Sequence, residues 1–253
     1  MRRQPPLPWL DPGEALPPAD TAWDRDSDAP GLLAAGGDLS VQSLMRAYAA
    51  GAFPWFSHGQ PILWWCPDPR MVLGLRNFHL HRSLRQTLRR FRASQACELR
   101  IDTAFDRVIG ACARSPRPGQ DGTWILPEME QAYQALHRAG MAHSVETWID
   151  GNLVGGLYCV ALGRAVFGES MFSTQADGSK IALAALACFC MHHGIEWIDC
   201  QQNTAHLASF GACEVVRERF LAMLAAACLL PAPQWQFDPL YWNHLLPSRP
   251  DPR

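Results

Sequence analysis

Between Ala142 and Gln201 the chain switches between two hydrophobic periods with nothing longer than a turn between them, and this stretch constrains the fold most. Ala142–Ile149 alternates as a strand does, and Asp150-Gly151-Asn152 carries hairpin-turn chemistry. Leu153–Leu162 and Ala165–Met171 continue as strands separated at Gly163. Gly178 to His193 is then a long helix of Ala, Leu and Cys, stopped by Gly194, and Glu196–Gln201 is another strand. Strand, hairpin, strand, strand, helix, strand is an α/β (α+β) order, and it predicts a central mixed sheet.

The first half reads differently. Residues 1–30, rich in proline and acid, predict an extended arm. Gly36-Gly37-Asp38-Leu39-Ser40 is a turn that places Ser40 or Asp38 to cap a helix through about Gly51. Phe53-Pro54 breaks that helix, and Ile62-Leu63-Trp64-Trp65 is a short strand ending at Pro67. His81–Phe91, Phe105–Cys112 and Glu128–Ala139 are predicted helices, with a Pro/Gly-rich loop over Ser115–Gly122. The change of rhythm predicts two units, a small N-terminal arm and domain over 1–70 and a larger domain over 71–253.

Composition excludes several classes. Apolar residues make up 48% and charged residues 18%, which argues against disorder. No apolar run reaches the ~18 residues of a membrane span. The N-terminus lacks the apolar core of a secretory signal, so a cytoplasmic protein is expected. The nine cysteines form no C-x-x-C pair, so neither a metal nor a disulfide framework is expected, and the sequence implies no cofactor. Net charge is −2, yet Arg70, Arg76, Arg82, Arg85, Arg89, Arg90, Arg92 and Arg100 crowd one segment. In the helix of His81–Phe91, Leu84 and Leu88 must face inward, which leaves Arg85, Arg89 and Arg92 as candidate phosphate contacts or as a solvated face.

Four constellations could carry chemistry. Trp55, Phe56, Trp64 and Trp65, with Trp124 in Gly122-Thr123-Trp124-Ile125, suit either a core or stacking on an unpaired base. Glu169, in Gly168-Glu169-Ser170-Met171-Phe172-Ser173, is a carboxylate in an apolar strand and needs a partner, either an arginine or a cationic ligand. In Trp197-Ile198-Asp199-Cys200-Gln201, alternation puts Asp199 and Gln201 on one face at a strand's C-terminal end and turns Cys200 inward. Gln175-Ala176-Asp177-Gly178-Ser179-Lys180 nearly matches a pyrophosphate loop but ends in lysine, so it is equally an ordinary helix start.

Together with Phe53-Pro54-Trp55-Phe56-Ser57, Ile62-Leu63-Trp64-Trp65-Cys66-Pro67-Asp68-Pro69-Arg70, Ala142-His143-Ser144-Val145-Glu146 and Leu153-Val154-Gly155-Gly156-Leu157-Tyr158, these blocks closely resemble the leucyl/phenylalanyl-tRNA–protein transferases, from about Gly31 to Leu224. The resemblance implies a small N-terminal domain beside an N-acetyltransferase-like (GNAT-like) domain. It implies transfer of Leu, Phe and less readily Met from charged tRNA to proteins beginning with Arg or Lys, marking them for degradation by the N-degron pathway. It further implies that Trp55 and Trp124 hold the terminal adenosine, and that Leu157, Met171, Leu183 and Ile198 line an aminoacyl pocket. Glu169, Asp199 and Gln201 would form the reacting centre. The partners implied are leucyl-tRNA, phenylalanyl-tRNA and the acceptor protein, acting on a monomer. Cys66, Cys159, Phe210 and Thr174-Gln175 depart from the family pattern, the last pair replacing a frequent arginine. Two alternatives remain open at this point: an acetyl-CoA-dependent N-acetyltransferase, and a tRNA-binding module without turnover.

Overall fold

The computed structural model describes residues 6–115 and 125–247. In chain order the elements begin with β1 (Trp9–Leu10), β2 (Leu32–Gly36), α1 (Val41–Ala49), β3 (Phe53–Pro54) and β4 (Leu63–Trp65). There follow β5 (Arg70–Gly74), α2 (Arg82–Ala93), β6 (Cys97–Ile101), α3 (Phe105–Arg114) and α4 (Pro127–Arg138). The chain continues through β7 (Ala142–Ile149), β8 (Asn152–Leu162), β9 (Ala165–Ser173), α5 (Gly178–His192), β10 (Trp197–Gln201), α6 (Ala205–Ser209), β11 (Cys213–Val215) and α7 (Arg217–Cys228).

Two sheets form. The smaller has the order β1-β2-β4-β3 and the larger β11-β5-β10-β9-β8-β7-β6. The larger sheet is mixed: β10 runs parallel to β9, across the α5 connection, and antiparallel to β5. A small N-terminal domain thus adjoins a larger mixed-sheet domain. β5, β6 and β11 lie outside the expected strand pattern: each is short, and β5, Arg70-Met71-Val72-Leu73-Gly74, has no alternation.

Local chemistry accounts for the elements that frame the site. Ser40 is the cap of α1, its hydroxyl accepting from the Ser43 amide at 3.3 Å, while Asp38 accepts from the Ser40 amide at 2.8 Å. That hydrogen bonding, led by Ser40, holds the Asp38 carboxyl down at about 2. Asp150 and Gly151 both take positive φ, +50° and +71°, the backbone a two-residue hairpin requires. α5 is buried along nearly its whole length, from Ile181 to Cys190, as an all-round apolar helix must be. Its start lies against β8 so closely that a Cβ on Gly155 would stand 2.4 Å from the Gly178 carbonyl carbon. Only glycine admits this approach, which sets α5 over the sheet and aims its Leu183 side toward the cavity described next. Among the described residues no helix is long and apolar enough to cross a membrane.

Candidate functional site

A cavity of about 640 Å³ opens where β3 of the small sheet meets β8, β9, β10 and α5 of the large one. Its apolar wall includes Leu157 from β8, Met171 from β9, Leu183 and Leu186 from α5, and Ile198 from β10. Four of these are the residues implied by the resemblance. Leu186 was missed, although it stands three residues after Leu183 and therefore shares its helical face. Trp55 lines the opposite side, half-buried, its ring centroid 5.5 Å from that of Trp65, and Trp65 Nε1 donates to the Trp55 carbonyl at 2.6 Å. Trp64, by contrast, is core: it is 2% exposed and donates to the Gly36 carbonyl at 3.0 Å. Trp124 falls outside the described residues.

Glu169 and Gln201 meet inside this cavity. Gln201 Nε2 donates to Glu169 Oε1 at 2.9 Å, and the same oxygen accepts from the Tyr48 hydroxyl at 2.7 Å. The Tyr133 hydroxyl lies 3.3 Å from Glu169 Oε2 and 2.5 Å from that of Tyr48. Burial pushes the Glu169 carboxyl up to about 7, against the hydrogen bonds from Tyr48 and Gln201, which favour its charged form. Both tyrosines are pushed upward, chiefly by burial and then by the Glu169 charge, so they stay protonated and act as donors. The expected alternative of an arginine partner for Glu169 is replaced by this ring of neutral donors. Neither tyrosine was singled out in the sequence, since Tyr48 reads there as one residue of the apolar side of α1.

Asp199 is placed otherwise than alternation predicts. It is fully buried and does not line the cavity. Arg70 at the start of β5 grips it with Nε to Oδ1 at 2.8 Å and Nη2 to Oδ2 at 2.6 Å, and sends Nη1 to the Gly51 carbonyl at 3.0 Å. Burial works against the guanidinium charge, and the Asp199 carboxylate outweighs it. Phe53 and Phe220 cover the guanidinium, their ring centroids 4.8 and 4.6 Å from Cζ. The strand register shifts between Asp199 and Gln201, and Gln201 takes φ +61°, with its amide donating to Asp199 Oδ1 at 2.9 Å. This bulge breaks the alternation. It turns Gln201 toward Glu169; Ile198 and Cys200 keep the common face that alternation gives them, and that face, packed on the core, also borders the cavity. Burial pushes the Cys200 thiol far upward, which removes it as a nucleophile.

The remaining candidates lie elsewhere. Leu84, Leu88 and Phe91 bury one face of α2, and Arg89 and Arg92 are exposed with Arg85 half-buried; none lines the cavity. Lys180 pairs with Asp177 at 2.8 Å, and Asp177 also accepts from Thr87 at 3.1 Å, so the charge of the Gln175–Lys180 turn is met locally. Gln202, Thr204 and His206 add polar groups to the lining, beside Leu207. Burial and the nearby Lys180 lower the affinity of His206 for a proton. Among the described residues no group of His, Cys, Asp and Glu has the geometry to hold a metal ion.

The family model described as leucyl/phenylalanyl-tRNA protein transferase matches residues 72–225, and that of the N-terminal domain of the same family matches residues 37–68. The chain is 61% identical over 242 residues to the leucyl/phenylalanyl-tRNA–protein transferase of Albidiferax ferrireducens, covering 96% of this chain and 95% of that protein. It is 61% identical to the protein of that name from Polaromonas sp., covering 95% and 94% of the two chains. With the one from Leptothrix cholodnii it shares 57% identity over 97% and 99%. With matches of this extent to both domains, the chain belongs to the leucyl/phenylalanyl-tRNA–protein transferase family.

Proposed function

We propose that this protein transfers Leu or Phe, and less readily Met, from aminoacyl-tRNA to the N-terminal amine of proteins that begin with Arg or Lys. The observation that carries the proposal is a cavity with a largely apolar wall, roomy enough for a large side chain, that also holds the Glu169–Gln201 pair. The donor is an activated ester, so no covalent enzyme intermediate is needed, and the raised Cys200 thiol fits that economy. The acceptor amine has an ordinary pKa of roughly 7.7–8.0, so a useful fraction is neutral near pH 7. The protein's task is to hold it against the ester and to accept its proton.

In this reading the side chain of the donor residue enters among Leu157, Met171, Leu183 and Ile198, and Trp55 stacks on the terminal adenosine, with Trp124 as its partner. Gln201 spends its amide nitrogen on Glu169, which leaves its carbonyl oxygen to accept from the amine. Asp199, locked by Arg70, holds the Gln201 backbone in place and acts as a positioning residue. Arg85, half-buried, and the exposed Arg89 and Arg92 follow one another on α2 at four- and three-residue spacing and would meet tRNA phosphates. The two sheets support a division near residue 70, into an arm with a small domain over 1–70 and a GNAT-like transfer domain over 71–253. The protein would act as a monomer in the cytoplasm, where charged tRNA is found, and its products would enter the N-degron pathway.

Incubation with leucyl-tRNA, phenylalanyl-tRNA or acetyl-CoA and an Arg-starting peptide tests the proposal. Transfer from the two charged tRNAs and none from acetyl-CoA is the expected result. Acetyl transfer, or tRNA binding without any peptide product, contradicts it.

A further inference from the structure

The two carboxylates near Gln201 differ in their partners and in their access to the cavity. Asp199 Oδ1 accepts from both Arg70 Nε and the Gln201 amide, and Oδ2 accepts from Arg70 Nη2. Arg70 and Asp199 are each 0% exposed. Asp199 is thus committed to Arg70 and to the Gln201 backbone, and it does not line the cavity.

Glu169 is in the opposite condition. It lines the cavity, it accepts from the neutral donors Tyr48, Tyr133 and Gln201, and its Oε2 meets the Tyr133 hydroxyl at the long distance of 3.3 Å. The titratable and charged groups that act on it are Tyr48 from α1, Tyr133 from α4, Cys159 from β8, Asp199 from β10 and Arg70 from β5. Burial drives both tyrosines and Cys159 upward out of the neutral range, and Asp199 and Arg70 neutralise each other. Glu169 is therefore the group of this cluster able to exchange a proton near neutral pH, the condition a general base requires.

We propose that Glu169 is the proton acceptor of the transfer reaction, with Gln201 holding the amine and Tyr48 and Tyr133 as positioning residues that set the basicity of Glu169. The inference rests on the aminoacyl-transfer reading given above. The acceptor nitrogen bonds to the ester carbonyl carbon and sheds one proton to Glu169 Oε2. The bond from that carbon to the ribose oxygen breaks, and the protonated Glu169 returns the proton to the departing oxygen. An amide and a free hydroxyl result, and Glu169 ends ionised as it began.

The test is the pH profile of single-turnover transfer from phenylalanyl-tRNA to an Arg-starting peptide. The wild type should show a limb with midpoint near that of Glu169, about 7, beside the limb of the acceptor amine. Tyr48→Phe removes a donor that favours the ionised carboxylate, so the Glu169 limb should move to higher pH while the amine limb stays. Glu169→Gln should abolish the first limb and lower the plateau by about 100-fold. Thermal unfolding and binding of charged tRNA check that both variants fold, and Tyr48→Phe carries the test alone if Glu169→Gln does not. A Tyr48→Phe profile that superimposes on the wild type, or a Glu169→Gln enzyme that keeps the limb, overturns the inference. A wild type inactive with every aminoacyl donor would remove the aminoacyl-transfer reading instead.

Discussion

Replacing Arg70 by Leu tests how the site is held. The change deletes three hydrogen bonds, two to Asp199 and one to the Gly51 carbonyl, at 2.6 to 3.0 Å, and leaves a carboxylate that is fully buried. Removing one partner of a buried pair typically costs about 3–5 kcal/mol, because the other charge is left uncompensated. For a chain of this size each kcal/mol corresponds to roughly 2–4 °C, so the melting temperature should fall by about 6–20 °C. Arg70→Leu combined with Asp199→Leu should regain most of that loss, since well-packed apolar replacements of a buried pair are often neutral or stabilising. Transfer activity should not return with stability, because the carboxylate that caps the Gln201 amide is gone. Calorimetry and urea unfolding of the four proteins in the cycle supply the numbers, and a transfer assay supplies the activity. An Arg70→Leu protein within about 1 kcal/mol of wild type, or a double variant with full activity, would refute the reasoning.

Other consequences are as specific. Leu183→Trp or Met171→Trp should narrow the cavity so that phenylalanyl transfer falls more steeply than leucyl transfer, measured as a ratio of kcat/KM. Arg85→Ala, Arg89→Ala and Arg92→Ala together should weaken tRNA binding and flatten its salt dependence by about 0.7–0.9 log units for each phosphate no longer neutralised, read from binding titrations at several salt concentrations. Gly155→Ala places a methyl group 2.4 Å from the Gly178 backbone, so it should displace the start of α5 and lower both stability and donor selectivity. Because the folded Glu169 carboxyl is raised to about 7 from an ordinary 4.5, the folded state holds its proton more tightly than the unfolded chain. Stability from this group is full below 4.5 and is lost as pH rises through 7, so Glu169→Gln should gain on wild type in unfolding experiments run from pH 5 to 8.

Much of the large sheet was legible because its strands and helix obey distinct periods. β7 coincides with the alternation of Ala142–Ile149, and α5 coincides within a residue with the run from Gly178 to His193. β5 was illegible: the three apolar residues Met71, Val72 and Leu73 after Arg70 carry no period, yet this strand delivers Arg70 to Asp199. The four aminoacyl-pocket candidates, which came from the family resemblance and not from any periodicity, all line the cavity. Asp199 and Gln201 were wrongly paired on one face because alternation assumes a regular strand, and the bulge at Gln201, a non-glycine residue at φ +61°, leaves no mark in the sequence. Tyr48 and Tyr133 are 85 positions apart, and only folding shows that they converge on Glu169.

Transfer of leucine and of valine carried by the same tRNA body tests the central claim most directly, that the cavity among Leu157, Met171, Leu183 and Ile198 selects the donor. The two esters are chemically alike, and valine leaves a methylene-sized gap, worth about 1–3 kcal/mol, or roughly 10–200-fold in rate. A preference for leucine of that size to a common Arg-starting peptide is the predicted result; equal rates for the two residues would contradict the account.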